Sequence, residues 1–161
     1  MSCTQCGVVM KTDRENFLYD ACGLPGVTLV GVEVSRCPGC GQYEVSIPQI
    51  EELHKLIAHT LIRKQARLSG AEVRFLRKWL GWSAADFAAH VGVTPETVSR
   101  WETSAVPMGA TADRLLRLMV VTKEPVRDYS LELLKDVDGE AAQPLRLGMR
   151  SDQGGWRAEA A

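Results

Sequence analysis

Four of the five cysteines in this chain stand as two C-x2-C pairs, Cys3 with Cys6 and Cys37 with Cys40. A two-residue spacer folds into a tight turn that aims both sulfurs at one point. Each pair is followed at once by a glycine, Gly7 or Gly41, which relieves crowding so that backbone N–H groups can approach the thiolates. Two such knuckles supply the closed four-thiolate shell of a zinc site. Because four sulfurs leave no open coordination position, the expected role is structural, with one Zn2+ per chain. A redox dithiol needs only one pair, and a four-cysteine iron–sulfur cluster is a further reading; both rank below zinc. Disulfides suit a reducing compartment poorly. Cys22 has no partner at knuckle spacing and reads as a small buried or half-buried thiol.

A second chemistry lies in the middle of the chain. The net charge is −1, yet the segment from Arg63 to Trp101 carries seven cations (Arg63, Lys64, Arg67, Arg74, Arg77, Lys78, Arg100) against Glu72, Asp86 and Glu96. Residues 1–47 lean acidic. A basic region in a near-neutral chain suggests a local polyanion site. Within it, LRKWLGWSAADFAAHVGVTPETVSRWE reads as two short helices around a glycine turn, the unit that places a second helix in the DNA major groove. The residues expected to face DNA are Ser83, Thr94, Glu96, Thr97, Ser99 and Arg100. Arg100 is the candidate base reader, because its guanidinium fork fits guanine O6 and N7 together. Ser83 and Thr94, at helix N-termini, are placed to position phosphates. Arg74, Arg77 and Lys78 are further candidates for phosphate contact.

The elements that must hold these groups follow from periodicity and punctuation. Phe17 to Cys22 and Val27 to Val34 read as strands joined by GLPG, with Val30, Val32 and Val34 on one face. Pro48 opens a helix with an apolar stripe of Ile50, Leu53, Ile57 and Leu61, expected to run to about Arg67. Ser69 with Glu72 forms a capping box for the next helix, which Gly81 stops. Ser83 caps another that runs through His90, and Gly92 makes the turn. Thr94 caps the recognition helix, with Pro95 at its first position and Trp101 closing the core. A fourth helix is expected from Thr111 to Val121, with Leu115, Leu116 and Leu118, and a short one at Asp128 to Asp136. From Gly139 onward the composition suggests a mobile tail.

The fold class expected is therefore α+β. A small N-terminal four-cysteine β module (1–47) joins through a bridging helix (48–68) to an all-α Xre/Cro-type helix-turn-helix domain (69–122). A partly disordered extension (123–161) follows. No apolar run approaches membrane-spanning length, and the N-terminus lacks a secretory pattern, so the location expected is cytoplasmic. His54, His59 and His90 fall at non-ligand spacing and no nucleophile–base arrangement stands out, which argues against an enzyme.

In the order and spacing of these features, residues 1–121 resemble the MqsA antitoxin family, a YgiT-type zinc finger joined to an Xre-type helix-turn-helix. The likeness rests on Cys3-x2-Cys6, Cys37-x2-Cys40, the bridging helix and the S-R-W-E end of the recognition helix. The resemblance implies zinc on those four cysteines and base reading by Arg100. It also implies a homodimer on an inverted-repeat operator, repression of its own operon, and an N-terminal module that engages a toxin. Glu96 stands where that family usually has Asn, and Ala84 where it often has Gln, so the operator sequence should differ. A small basic toxin is the protein partner this reading suggests; a stand-alone zinc-containing repressor is the alternative. If the modules are separable, losing Cys37 and Cys40 should unfold residues 1–47 and spare DNA binding.

Overall fold

A computed structural model describes residues 1–122, 131–137, 147–152 and 154–160. The N-terminal part is a three-stranded antiparallel sheet, β1 (Lys11–Leu18), β2 (Thr28–Arg36) and β3 (Tyr43–Val45), in that spatial order. Opposite Asn16 the register slips: Glu15 pairs with Val32 but Phe17 with Leu29, so β2 carries one extra residue. Gly31 absorbs this bulge at φ +65°, and its N–H donates to Asn16 Oδ1 at 3.1 Å. The bulge breaks the two-residue alternation. Leu29 and Val34 are both buried, while Val30 turns outward and is 78% exposed. The common valine face expected along β2 therefore fails at Gly31.

The strand expected over residues 17–22 is also displaced. β1 ends at Leu18, and Asp20–Cys22 form a 3-10 turn. Gly23 and Gly26 take positive φ, and Tyr19 N–H donates to Val27 O at 2.7 Å. These bonds close a compact loop, residues 19–27, whose Leu24 is buried in the core.

Among the described residues five α-helices follow: α1 (Ile50–Leu61), α2 (Gly70–Trp79), α3 (Ala84–Val91), α4 (Pro95–Glu102) and α5 (Ala110–Val121). Ser69 and Ser83 both form capping boxes, with Glu72 and Asp86 at the third helical position. Thr94 caps α4 and Pro95 opens it. α1 is shorter than its periodicity suggested and stops at Leu61. Beyond it, Arg117 of α5 takes over the backbone: its guanidinium donates to the carbonyls of Ile62, Lys64 and Ala66 and to Asp113 Oδ1. Asp113 in turn accepts from Leu68 N–H at 2.8 Å. A buried carboxylate paired this way has its charge met by a guanidinium and a backbone amide. The clamp engages the Ile62, Lys64 and Ala66 carbonyls, in competition with a continued helix.

One core runs through the helices and into loop 19–27. Leu24 is buried with Ala58, Val73, Phe75, Leu76, Phe87, Val98, Trp101, Leu116 and Val120. Trp101 closes it against Phe87, with ring centroids 6.2 Å apart. A separate small cluster holds Cys3, Met10 and Cys37. Gly70 lets the start of α2 meet the end of α4, since a Cβ there would lie 2.4 Å from Glu102 O.

Past α5, Leu131–Asp136 form a 3-10 turn that packs on α3. The first residues of the helix expected there, 128–130, lie outside the described residues. Where composition suggested a mobile tail, β4 (Leu147–Asp152) and β5 (Gly155–Ala160) form an antiparallel hairpin. Its register runs from Leu147–Ala160 to Asp152–Gly155. The rest of that expectation, over 139–146, 153 and 161, falls outside the described residues.

Candidate metal centre and nucleic-acid interface

The two cysteine pairs fold alike. In the first, Cys3 N–H donates to Val8 O and Gly7 N–H to Cys3 O; in the second, Cys37 N–H donates to Gln42 O and Gly41 N–H to Cys37 O. Gly7 and Gly41 both sit at positive φ, +74° and +77°. That conformation turns the following amides, of Val8 and Gln42, onto the sulfurs of Cys6 and Cys40. The expectation that these glycines admit backbone donors to the thiolates is met by these contacts.

Cys3, Cys6, Cys37 and Cys40 converge, with all four sulfurs within 4.8 Å of one another. Cys6 Sγ lies 3.3 Å from Cys37 Sγ, and Cys3 Sγ 3.6 Å from Cys40 Sγ. Tetrahedral thiolates at zinc–sulfur distances of about 2.3 Å stand about 3.8 Å apart, so the spacing fits a four-sulfur metal site. The protons of the cluster are unevenly held. Burial raises Cys37, but the amides of Cys40 and Gly39 and the Cys6 thiol outweigh it and bring Cys37 down to about 6. Cys6 moves the other way: the Val8 amide favours its thiolate, yet the neighbouring sulfurs push it up to about 12. One thiolate forms readily while Cys6 and Cys40 resist ionising, a pattern that a bound cation would relieve by favouring their deprotonated forms.

Cys22 stays outside this cluster. It is half-buried in loop 19–27, and its thiol donates to Tyr19 O at 3.1 Å.

The proposed DNA-facing residues gather on α3 and α4. Ser83 Oγ accepts from Asp86 N–H at the start of α3. Thr94 Oγ1 accepts from Thr97 N–H and lies 3.0 Å from Thr97 Oγ1, so Thr97 is half-buried against its own cap. Glu96, Ser99 and Arg100 are exposed. Val98 and Trp101, on the opposite side of α4, are buried, which fixes the face that Ser99 and Arg100 present to solvent.

One cation read as a phosphate candidate is spent inside the protein, and two others of the basic segment hold partners nearer its surface. Arg77 is buried: its guanidinium holds both carboxylate oxygens of Glu102 and donates to Trp82 O at 2.8 Å. Lys64 pairs with Glu72 at 2.7 Å, and Arg67 donates to Met108 O at 2.9 Å. Arg74, Lys78 and Arg100 remain exposed. The Arg77–Glu102 pair and the Arg117 clamp are the functional supports that sequence reading missed. Their signal would have been an arginine on the apolar side of a helix with an acid elsewhere to meet it.

Residues 73–124 match the helix-turn-helix family. They form a DNA-binding domain of the Xre type, found in transcription regulators and not an enzyme family. The helix-turn-helix match covers α2 through α5 apart from the first turn of α2, and α3, Gly92 and α4 make its central unit. No curated protein matches the chain. Among the described residues, no helix is long and apolar enough to cross a membrane.

Proposed function

We propose that this protein is a sequence-specific transcriptional repressor that serves as the antitoxin of a toxin–antitoxin pair. In this reading it resembles MqsA in division of labour: residues 1–47 bind zinc and a toxin, 48–68 bridge, and 69–122 bind DNA. The observation that carries the DNA half is α4, with Thr94 and Pro95 opening it, Val98 and Trp101 anchoring it, and Ser99 and Arg100 exposed. Arg100 reads a base, while Ser83 and Thr94 position phosphates. Thr97 is better suited to shaping the cap than to reading bases, and Glu96 favours a cytosine N4 over a phosphate. Zinc is the metal this reading assigns to the four thiolates, in a structural role.

A homodimer on an inverted repeat, with half-sites about 34 Å apart, suits a single recognition helix per chain. Leu118 and Val121, one turn apart on α5 and more than half exposed, offer apolar surface for a second copy. The acidic balance of residues 1–47 suits a small basic toxin. Purifying native complexes from the source cell tests the whole reading, with metal content measured on the same sample. One zinc per chain with a small basic companion supports it. Zinc without a companion favours a stand-alone repressor, and absence of zinc contradicts the metal assignment.

A further inference from the structure

The cysteine module and the DNA-binding helices share side chains at their seam. Loop 19–27 belongs by sequence to the module, yet Leu24 is only 3% exposed and packs in the core with Ala58, Phe75 and Leu76. Cys22 and Val27 lean on the same core. Tyr19, also buried, shares a hydrogen bond with His54 Nε2 at 3.0 Å and stacks on its ring. His54 then meets Phe75 edge-on, with centroids 5.8 Å apart. An aromatic chain thus crosses from the module through α1 to α2. Further along α2, Arg77 grips Glu102 at the end of the recognition helix. On the far side, Arg117 holds the connection after α1 through the Ile62 and Ala66 carbonyls.

Loop 19–27 hangs on the β1–β2 ladder, which meets at Leu18 and Thr28 and whose strands bury only Leu29, Val34 and Ser35. The module's own cluster is Cys3, Met10 and Cys37, two of which are thiols that a metal would draw together. We infer that metal occupancy governs the stability of the DNA-binding helices, because the metal-ordered module supplies loop 19–27 as a plug for their core. Loss of metal frees the loop, uncovers Ala58 and Phe75, and loosens the helix that anchors the end of α4. This inference rests on the reading of the four cysteines as a metal site. It runs against the expectation of separable modules, because losing the metal would weaken the DNA-binding part as well.

The tryptophans make the test direct. They stand at 79, 82, 101 and 156, none of them in residues 1–47. In a full-length Trp156→Phe background, tryptophan fluorescence reports on the helices alone. The zinc-loaded protein and the same protein after chelation under reductant are melted side by side, with metal content measured on both. Chelation should lower the tryptophan-monitored midpoint by roughly 5–10 °C, as removal of a ligand that binds only the folded state does. Leu24→Ala should shrink that shift, and so should the milder Tyr19→Phe, which removes only the hydroxyl facing His54. A chain that binds one zinc but whose midpoint is unmoved by chelation overturns the coupling alone. A chain that takes up no zinc overturns the metal reading and the coupling with it.

Discussion

Arg77 and Glu102 form a buried ion pair that ties α2 to the last turn of the recognition helix, with both side chains about one-tenth exposed. The pair is bidentate, Arg77 Nη2 donating to Glu102 Oε2 at 3.1 Å beside the Nε bond, and the remaining nitrogen is met by Trp82 O. Its value lies in geometry more than in net energy, since desolvation offsets much of the attraction. Removing one partner leaves the other charge buried. Arg77→Ala or Glu102→Ala should therefore cost about 3–5 kcal/mol in urea unfolding. Glu102→Gln, which keeps a hydrogen-bond acceptor, should cost less. Equal, small losses for all three would mean that the pair is solvated in solution.

Gly70 offers a test in which two effects have opposite signs. Alanine within a helix is ordinarily favoured over glycine by about 0.5–1 kcal/mol. Here its Cβ would sit 2.4 Å from Glu102 O and 2.7 Å from Trp101 O, backbone atoms that cannot rotate away. Overpacking of that kind costs about 1–3 kcal/mol, so Gly70→Ala should lower the melting midpoint. A raised midpoint would show that α2 and α4 do not approach this closely.

Asp86 gives a pH dependence. The Ser83 backbone N–H, reinforced by the Ser83 hydroxyl, holds its carboxyl below the usual value. A depressed folded-state pKa means that the stabilisation is present above the unfolded value of about 3.9 and disappears as pH falls through the folded one. Wild type should lose more stability than Asp86→Asn between pH 5 and pH 3. Parallel curves for the two proteins would remove the capping box from the account.

The metal centre makes its own spectroscopic claim. Cobalt(II) substituted for zinc should give the intense thiolate charge-transfer and tetrahedral d–d absorption of a four-sulfur site, one equivalent per chain. Replacing both Cys37 and Cys40 with Ser should abolish it. An octahedral spectrum, or binding that survives the double substitution, would contradict the assignment.

Much of this was legible in the sequence where the signal is local. The C-x2-C pairs, the Ser69–Glu72 box, Thr94-Pro95 and Gly92 each act within a few residues, and each takes the form its chemistry implied. What escaped reading depends on distant partners. Nothing near Gly31 announces the bulge that turns Val30 outward, because it is defined against Asn16 on another strand. Arg77 looked like a surface cation until Glu102, on another helix, claimed it. α1 stops at Leu61 although its apolar period allows more, because Arg117 captures the carbonyls beyond. Leu24 looked like part of a hairpin turn, and its place in the helical core follows only from the fold of loop 19–27.

The most direct test of the central claim is the affinity of the zinc-loaded protein for a duplex recovered by selection from random DNA. It is measured by fluorescence anisotropy at fixed salt, against the same duplex scrambled. A sequence-specific regulator should prefer the selected duplex by about 10³-fold or more. Arg100→Ala should lose about 1–3 kcal/mol of that preference while non-specific binding falls far less. Equal affinity for the two duplexes, or a preference untouched by Arg100→Ala, would contradict the assignment of α4 as the reading helix.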